Sequence, residues 1–245
     1  MCTVSWVHTA DGYHLFCNRD EKKNRAQGLG PKLQARGWVR FVAPVDTEFG
    51  GTWIAVNEFG VSACLLNGAN LTRRFVQNPR KAWRSRGVLL RELIWAQSAD
   101  ECILWLKQLD LRRFAPFTVA FLQPQTPAVV AEWDGENTTV VPSGDSLMPL
   151  TSSSYDPEGV HTARWTELER HAAVFGQVDP AALYAFHTSH CEVPDAYSPC
   201  MHRVDAETVS FSWITVTERE IRFIYVAGAP CAASNTEQQV LRRAA

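Results

Sequence analysis

The sequence predicts an α+β fold, a four-layer αββα sandwich in which two antiparallel sheets stack face to face and a helix pair covers each outer face. Three observations carry this reading. Strand-forming runs come as hairpins, helix-period segments come in consecutive pairs, and the order along the chain is strands, helices, strands, helices, strands. No linker-like composition break, low-complexity stretch or internal repeat interrupts residues 1–245, so the chain reads as one domain.

The first hairpin is the clearest element. Cys2-Thr3-Val4-Ser5-Trp6-Val7-His8 is rich in strand formers, Asp11-Gly12 is a turn pair, and residues 13–17 return toward Asn18-Arg19-Asp20-Glu21. From Lys22 to about Gly37 the chain is polar and reads as a loop. Runs 51–56 and 61–66 flank Asn57-Glu58-Phe59-Gly60 as a second hairpin. Helical periodicity starts near Pro79, with Trp83, Arg86, Gly87, Leu90, Leu93 and Ile94 as a partial stripe. Ser98-Ala99-Asp100-Glu101 is a capping box opening a second helix to about Leu109. Strands follow at 117–122, 128–133 and 138–141. A third helix is placed at 159–171. A fourth begins with Asp179 as N-cap and Pro180 at the first helical position. Strands 208–216 and 221–226 turn about 217–220, and a polar tail follows Ala229-Pro230.

Composition narrows the function classes. With 46% apolar and 20% charged residues the chain is an ordinary globular protein. A net charge of −2 supplies no general attraction to nucleic acid or an anionic membrane, so neither partner is expected. No apolar run nears the ~20 residues of a membrane span. No basic segment followed by an apolar stretch marks a secretory signal. Seven irregularly spaced cysteines read as free thiols of a reduced, cytoplasmic protein. The oligomeric state is left open, a homo-oligomer being allowed.

The chemistry concentrates at the N-terminus. Cys2 follows Met1, and its small side chain permits removal of Met1 by a methionine aminopeptidase. The mature chain would carry on one residue a thiol and an α-amine, with ordinary pKa values of about 8.5 and about 7.7–8.0. That is a nucleophile with its own base. Arg19 and Asp20 are spaced to return to Cys2 across the Asp11-Gly12 hairpin. A carboxylate at Asp20 orients an α-ammonium, and a guanidinium at Arg19 favours the thiolate.

Met1-Cys2-Thr3, Asn18-Arg19-Asp20-Glu21 and Asn57-Glu58-Phe59-Gly60 with Leu66-Asn67 together resemble the NRDE family, also called transport-and-Golgi-organisation-2-like proteins. Phe49-Gly50-Gly51-Thr52-Trp53 resembles that family's Gly-Gly-Thr-Trp motif, and the resemblance covers at least the first 70 residues. A wider resemblance reaches the cysteine N-terminal nucleophile hydrolases: choloylglycine hydrolases, penicillin V acylases and acyl-coenzyme A:6-aminopenicillanate acyltransferases. Ser198-Pro199-Cys200-Met201-His202-Arg203, Thr208-Val209-Ser210 and Gly228-Ala229-Pro230-Cys231 resemble the end of the acyltransferase branch. The fold this resemblance implies is the same αββα sandwich.

The resemblance implies Cys2 as nucleophile, with Arg19, Asp20 and Asn67 as its catalytic partners and Asn67 as the oxyanion donor. Asn18, Ser152 and Arg203 are secondary candidates. In Leu150-Thr151-Ser152-Ser153-Ser154, Ser152 stands where many choloylglycine hydrolases carry an oxyanion Asn, and its hydroxyl reaches less far. The implied substrate is a small acylated molecule, an amide or thioester, with linear amide hydrolysis and acyl transfer both open. No cofactor is expected. The alternative is a non-catalytic haem or lipid carrier on the same scaffold, since eukaryotic relatives are associated with haem handling and lipid metabolism.

Two further clusters invite sharper readings. His187, His190, Cys191, Cys200 and His202 have zinc-like spacing. Two of them close a helix, however, and Cys200 lies in a segment with no metal role, so no metal centre is expected. Arg73, Arg74, Arg80, Lys81, Arg84 and Arg86 read as a solvated helix face, or as a grip for an anionic ligand tail such as a coenzyme A phosphate or a carboxylate.

Overall fold

A computed structural model describes residues 2–68, 84–153, 155–193, 195–232 and 235–244. β1 (Cys2–Thr9) and β2 (Gly12–Lys22) form the expected hairpin, paired from Cys2 opposite Arg19 to Thr9 opposite Gly12. The segment read as a polar loop is instead mostly a second hairpin, β3 (Leu29–Arg36) with β4 (Val39–Val45). β3 is a sheet edge with mostly exposed side chains, and it carries Pro31, which an edge tolerates. Its polar face hides the strand from hydrophobic patterning.

β5 (Ile54–Asn57) and β6 (Ser62–Asn67) form the next hairpin. Asn57 fastens its turn. Its Oδ1 accepts from the Phe59 and Val61 amides at 3.0 and 3.1 Å, while its Nδ2 donates to the Ile94 and Ala96 carbonyls, both at 2.7 Å. α1 (Arg86–Leu93) falls within the predicted helical segment, whose start at Pro79 and Trp83 lies outside the described residues. α2 (Ala99–Gln108) has the expected cap: Ser98 Oγ accepts from the Glu101 amide at 3.1 Å, and the Glu101 carboxylate accepts from the Gln97 amide at 2.6 Å.

β7 (Phe117–Leu122), β8 (Val129–Trp133) and β9 (Thr138–Val141) follow, then the short β10 (Leu150–Ser152), which the sequence did not announce. α3 (Pro157–Phe175) is longer than predicted. Asp156 caps its start, and Gly176 ends it in the left-handed region at φ 78°. α4 (Pro180–Thr188) begins as predicted, the Asp179 side chain accepting from the Ala182 amide at 2.8 Å. β11 (Ala206–Val216) and β12 (Glu220–Ala227) form the closing hairpin. The expected polar tail is β13 (Thr236–Arg242), another exposed edge strand.

The strands make two antiparallel sheets, ordered β10-β1-β2-β11-β12-β13 and β3-β4-β5-β6-β7-β8-β9. Val4, Leu15, Val56, Leu66 and Ile214 belong to the apolar cluster between the sheets. Leu90, Leu93 and Leu106 pack with Phe117 and Phe121 on one outer face. Leu183 and Phe186 pack with Phe16 and Phe211 on the other. The predicted α+β αββα sandwich is therefore the observed architecture. No described helix is long and apolar enough to cross a membrane.

His187, at the end of α4, is fully buried. Its Nε2 meets Ser5 Oγ at 2.8 Å, and its ring stacks on Phe16 at 5.7 Å between centroids. Burial, with Arg164 nearby, pulls its pKa down to about 3. A histidine held neutral in the fold but free to protonate when unfolded costs stability as pH falls through the unfolded value of about 6.5. At 1.36 kcal/mol per pH unit, His187 should cost roughly 2 kcal/mol between about pH 6.5 and pH 5. Asp20 acts in the opposite sense. Burial raises its pKa, so its folded form takes up a proton more readily and gains stability on acidification. Urea midpoints measured across this range should fall with pH in the wild type and fall less in His187→Gln. Parallel curves for the two proteins would refute the assignment.

Candidate active site

The β-ladder sets the geometry at Cys2. Its Cα faces Arg19 of β2 on one side and Ser152 of β10 on the other. Strand alternation sends Cys2 into the space between the sheets, where the Arg19 guanidinium also lies, 4.3 Å over the Trp53 ring. The Thr3 and Asp20 side chains instead meet Arg164 of α3, and Asn18 meets the His187 carbonyl of α4. At the end of the sheets, Cys2, Arg19, Asp20 and Asn67 all line one cavity of about 280 Å³. The four residues singled out from the sequence are thus brought together. Asn67 reaches the cavity from the end of β6.

The Gly-Gly-Thr-Trp segment shapes one wall. A Cβ on Gly51 would stand 2.5 Å from the Gly87 carbonyl carbon, and the Thr52 amide donates to the Gly87 carbonyl at 3.0 Å. Glycine at 51 and 87 lets the start of α1 close onto this loop, which delivers Trp53 beneath Arg19. A charge network holds the guanidinium in place. Arg19 Nη2 is 3.4 Å from Asp46 Oδ2 and 3.9 Å from Glu21 Oε2. Arg25 bridges the same two carboxylates at 2.7 and 2.9 Å.

Electrostatics at the thiol are dominated by burial. Desolvation pushes the Cys2 pKa up to about 12, and the chain-terminal ammonium and, more weakly, Arg19 pull it down only in part. The thiol is therefore neutral at physiological pH, and its proton needs an acceptor during any attack. Asp20 is itself buried, which raises its pKa, with Arg164 opposing. Thr208 Oγ1 donates to Asp20 Oδ1 at 2.6 Å, and Arg164 Nη2 lies 3.3 Å from Oδ2.

The secondary candidates separate. Ser152 Oγ accepts from the Cys2 nitrogen at 3.0 Å, so its hydroxyl is placed at the chain start. Asn18 ties β2 to the loops behind it, its Nδ2 donating to the His187 and Pro199 carbonyls at 2.9 and 2.8 Å. Arg203 pairs with Asp205 at 2.9 Å and lies over Tyr155, and it is not among the described residues that line the cavity. Arg84 and Arg86 do line it, whereas Arg73, Arg74, Arg80 and Lys81 lie outside the described residues.

Sequence reasoning missed Arg164. It is fully buried on α3 and faces Asp20, and it also donates to the Thr3 hydroxyl and the Ala196 carbonyl. A signal existed: Arg164 falls one turn from both Val160 and Leu168, on the buried stripe of its helix.

The sequence pattern of the family described as Transport and Golgi organisation 2 matches residues 1–182. No curated protein matches the sequence. Among solved structures, the fold is similar to penicillin V acylase from Agrobacterium tumefaciens, with TM-score 0.60 and 10% identity over 97% of this chain and 85% of that one. It is similar to a variant of conjugated bile acid hydrolase from Clostridium perfringens, with TM-score 0.61 and 10% identity over 98% and 96%. It also resembles the Caenorhabditis elegans N-acylethanolamine-hydrolyzing acid amidase orthologue, with TM-score 0.57 and 11% identity over 87% and 92%. At such identities the likeness is one of fold.

Proposed function

Because the chain belongs to the Transport and Golgi organisation 2 family and shares its fold with amide-bond hydrolases, we propose that it is an N-terminal-cysteine nucleophile enzyme acting on an acyl bond. The observation that carries this reading is the convergence of Cys2, Arg19, Asp20 and Asn67 on one cavity, with Arg19 in register opposite Cys2.

Removal of Met1 turns the Cys2 nitrogen, which meets the Ser152 hydroxyl at 3.0 Å, into an amine on the cavity that Asp20 also lines. The amine takes the thiol proton as sulfur adds to the carbonyl of an amide or thioester, and Asn67 donates to the oxyanion. The ammonium then protonates the leaving amine or thiol as the C–N or C–S bond breaks, leaving an S-acyl enzyme. Water completes a hydrolysis and an acceptor amine completes a transfer. Arg19 favours the developing thiolate, and Asp20 orients the ammonium. Arg86, whose only described hydrogen bond is to the Pro116 carbonyl at 2.8 Å, supplies a cation for an anionic part of the substrate.

Intact-mass analysis tests the premise. Active protein should lack Met1, and peptide mapping after iodoacetamide should find an adduct at Cys2 in addition to any at the exposed Cys231. Active protein that fully retains Met1 would end the mechanism. Haem or acyl-coenzyme A binding that survives Cys2→Ala, without turnover of any amide or thioester, would identify a carrier instead.

Ser152 offers a finer test. Its hydroxyl positions the amine, so Ser152→Ala should lower kcat about five- to tenfold, the worth of one hydrogen bond, with KM little changed. Hydrolysis of a p-nitrophenyl acyl ester reads the effect. A KM change with constant kcat would assign Ser152 to substrate binding.

A further inference from the structure

We propose that His190, Cys200, His202 and Cys231 form a zinc-binding site that clamps two loops behind β2, separate from the cavity at Cys2. His190 lies just after α4, Cys200 and His202 lie in the loop leading into β11, and Cys231 sits in a 3₁₀ turn (Pro230–Ala232) after β12. One ligand atom from each falls within 4.8 Å of the others. His202 Nε2 is 3.5 Å from Cys200 Sγ and 3.2 Å from Cys231 Sγ. The His190 and His202 rings stand 5.1 Å apart between centroids.

Zinc held tetrahedrally by nitrogen at about 2.0–2.1 Å and sulfur at about 2.3 Å requires ligand–ligand edges of roughly 3.3–3.8 Å. The observed nitrogen–sulfur separations already approach those edges, and small side-chain rotations bring the remaining atoms into place. Two imidazoles and two thiols are a soft N₂S₂ set, which selects zinc over the oxygen-seeking magnesium and calcium. Four protein ligands close the coordination sphere, as structural rather than catalytic zinc sites do. Cys200 is buried and Cys231 exposed, so an ion has a path in from solvent.

The quartet differs from the five residues whose spacing is zinc-like. His187 turns into the core against Ser5, and Cys191 is not in the group. Cys231, far along the chain, takes their place. The clamp also reaches the chemistry indirectly. The Met201 amide, between the two loop ligands, donates to Thr208 Oγ1 at 2.8 Å, and that hydroxyl donates to Asp20 at 2.6 Å.

The test uses the full chain, purified under reducing conditions without a metal-affinity tag, loaded with excess zinc sulfate and desalted. Elemental analysis should give about one zinc per chain. Cobalt(II) should give tetrahedral d–d bands and thiolate charge transfer. Cys231→Ser and His190→Ala change exposed ligands and should weaken zinc binding at least about tenfold, while Cys191→Ser keeps it. Zinc should raise Tm in the wild type and not in Cys231→Ser. A wild type that retains no zinc, retention unchanged in both ligand variants, or a Cys200–Cys231 disulfide in the reduced preparation would overturn the proposal.

Discussion

Replacing Cys2 with alanine is expected to abolish turnover of amide and thioester substrates while leaving the fold in place. Cys2 occupies the end of β1 and is 8% exposed, so loss of its sulfur removes little packing, about 1 kcal/mol. The chemical loss is far larger. Without a nucleophile no S-acyl intermediate forms, and removing the nucleophile of a coupled catalytic set lowers kcat by roughly 10³–10⁶-fold. The neutral thiol adds a pH signature. With Met1 retained, the Cys2 nitrogen is an amide and cannot act as a base, so alkylation of Cys2 should be slow at pH 7 and keep accelerating up to the thiol pKa of about 12. The mature chain, with the amine as base, should be alkylated faster near neutrality. Substrate turnover, Tm and the alkylation–pH curve should be measured together on wild type, Cys2→Ala and a Met1-retaining form. Undiminished turnover in a correctly folded Cys2→Ala protein would place the chemistry elsewhere.

The candidate site is legible in the sequence because its parts are local. The tight turn at Ala10-Asp11, one residue before the expected Asp11-Gly12, fixes the β1–β2 register, and the register alone puts Arg19 opposite Cys2. Asn67 follows from a second hairpin of the same kind. What escapes the sequence is long-range or polar. β3 and β13 are exposed edge strands whose apolar alternation is too weak to stand out. β10 is short, and it matters chiefly because it places Ser152 against the Cys2 nitrogen. The Arg19–Asp46–Arg25–Glu21 network joins β2 to the loop after β4, and no spacing rule links those segments. Cys231 joins the histidine–cysteine group only because β12 returns the chain to the end of α4. The zinc-like spacing within residues 187–202, from which no metal centre was expected, overlaps the proposed group but lacks Cys231.

Arg164→Met is expected to destabilise the protein by roughly 3–5 kcal/mol, the cost of breaking a buried ion pair by removing one partner. Arg164 and Asp20 have no exposed side-chain surface, and their closest atoms are 3.3 Å apart. The guanidinium also serves the Thr3 hydroxyl and the Ala196 and Tyr197 carbonyls, so methionine fills the volume and leaves those acceptors without its donors. Arg164→Lys should recover only part of the loss, because one ammonium cannot span partners on β1, β2 and the Ala196–Tyr197 loop. If the lost counter-charge dominates, Arg164→Met with Asp20→Asn should be more stable than Arg164→Met alone. The sign of the pH response follows from the same charge. Losing a cation raises the Asp20 pKa further, so the deficit of the single variant should be largest at neutral pH and shrink as pH falls through the folded Asp20 pKa. Urea denaturation of both variants at neutral and acidic pH decides the matter. A pH-independent deficit, or a double variant no better than the single, would mean that Arg164 acts through its hydrogen bonds to the loops and not through the Asp20 carboxylate. The distinction matters for the chemistry, because only charge pairing would make Arg164 set how strongly Asp20 holds an ammonium at the chain start.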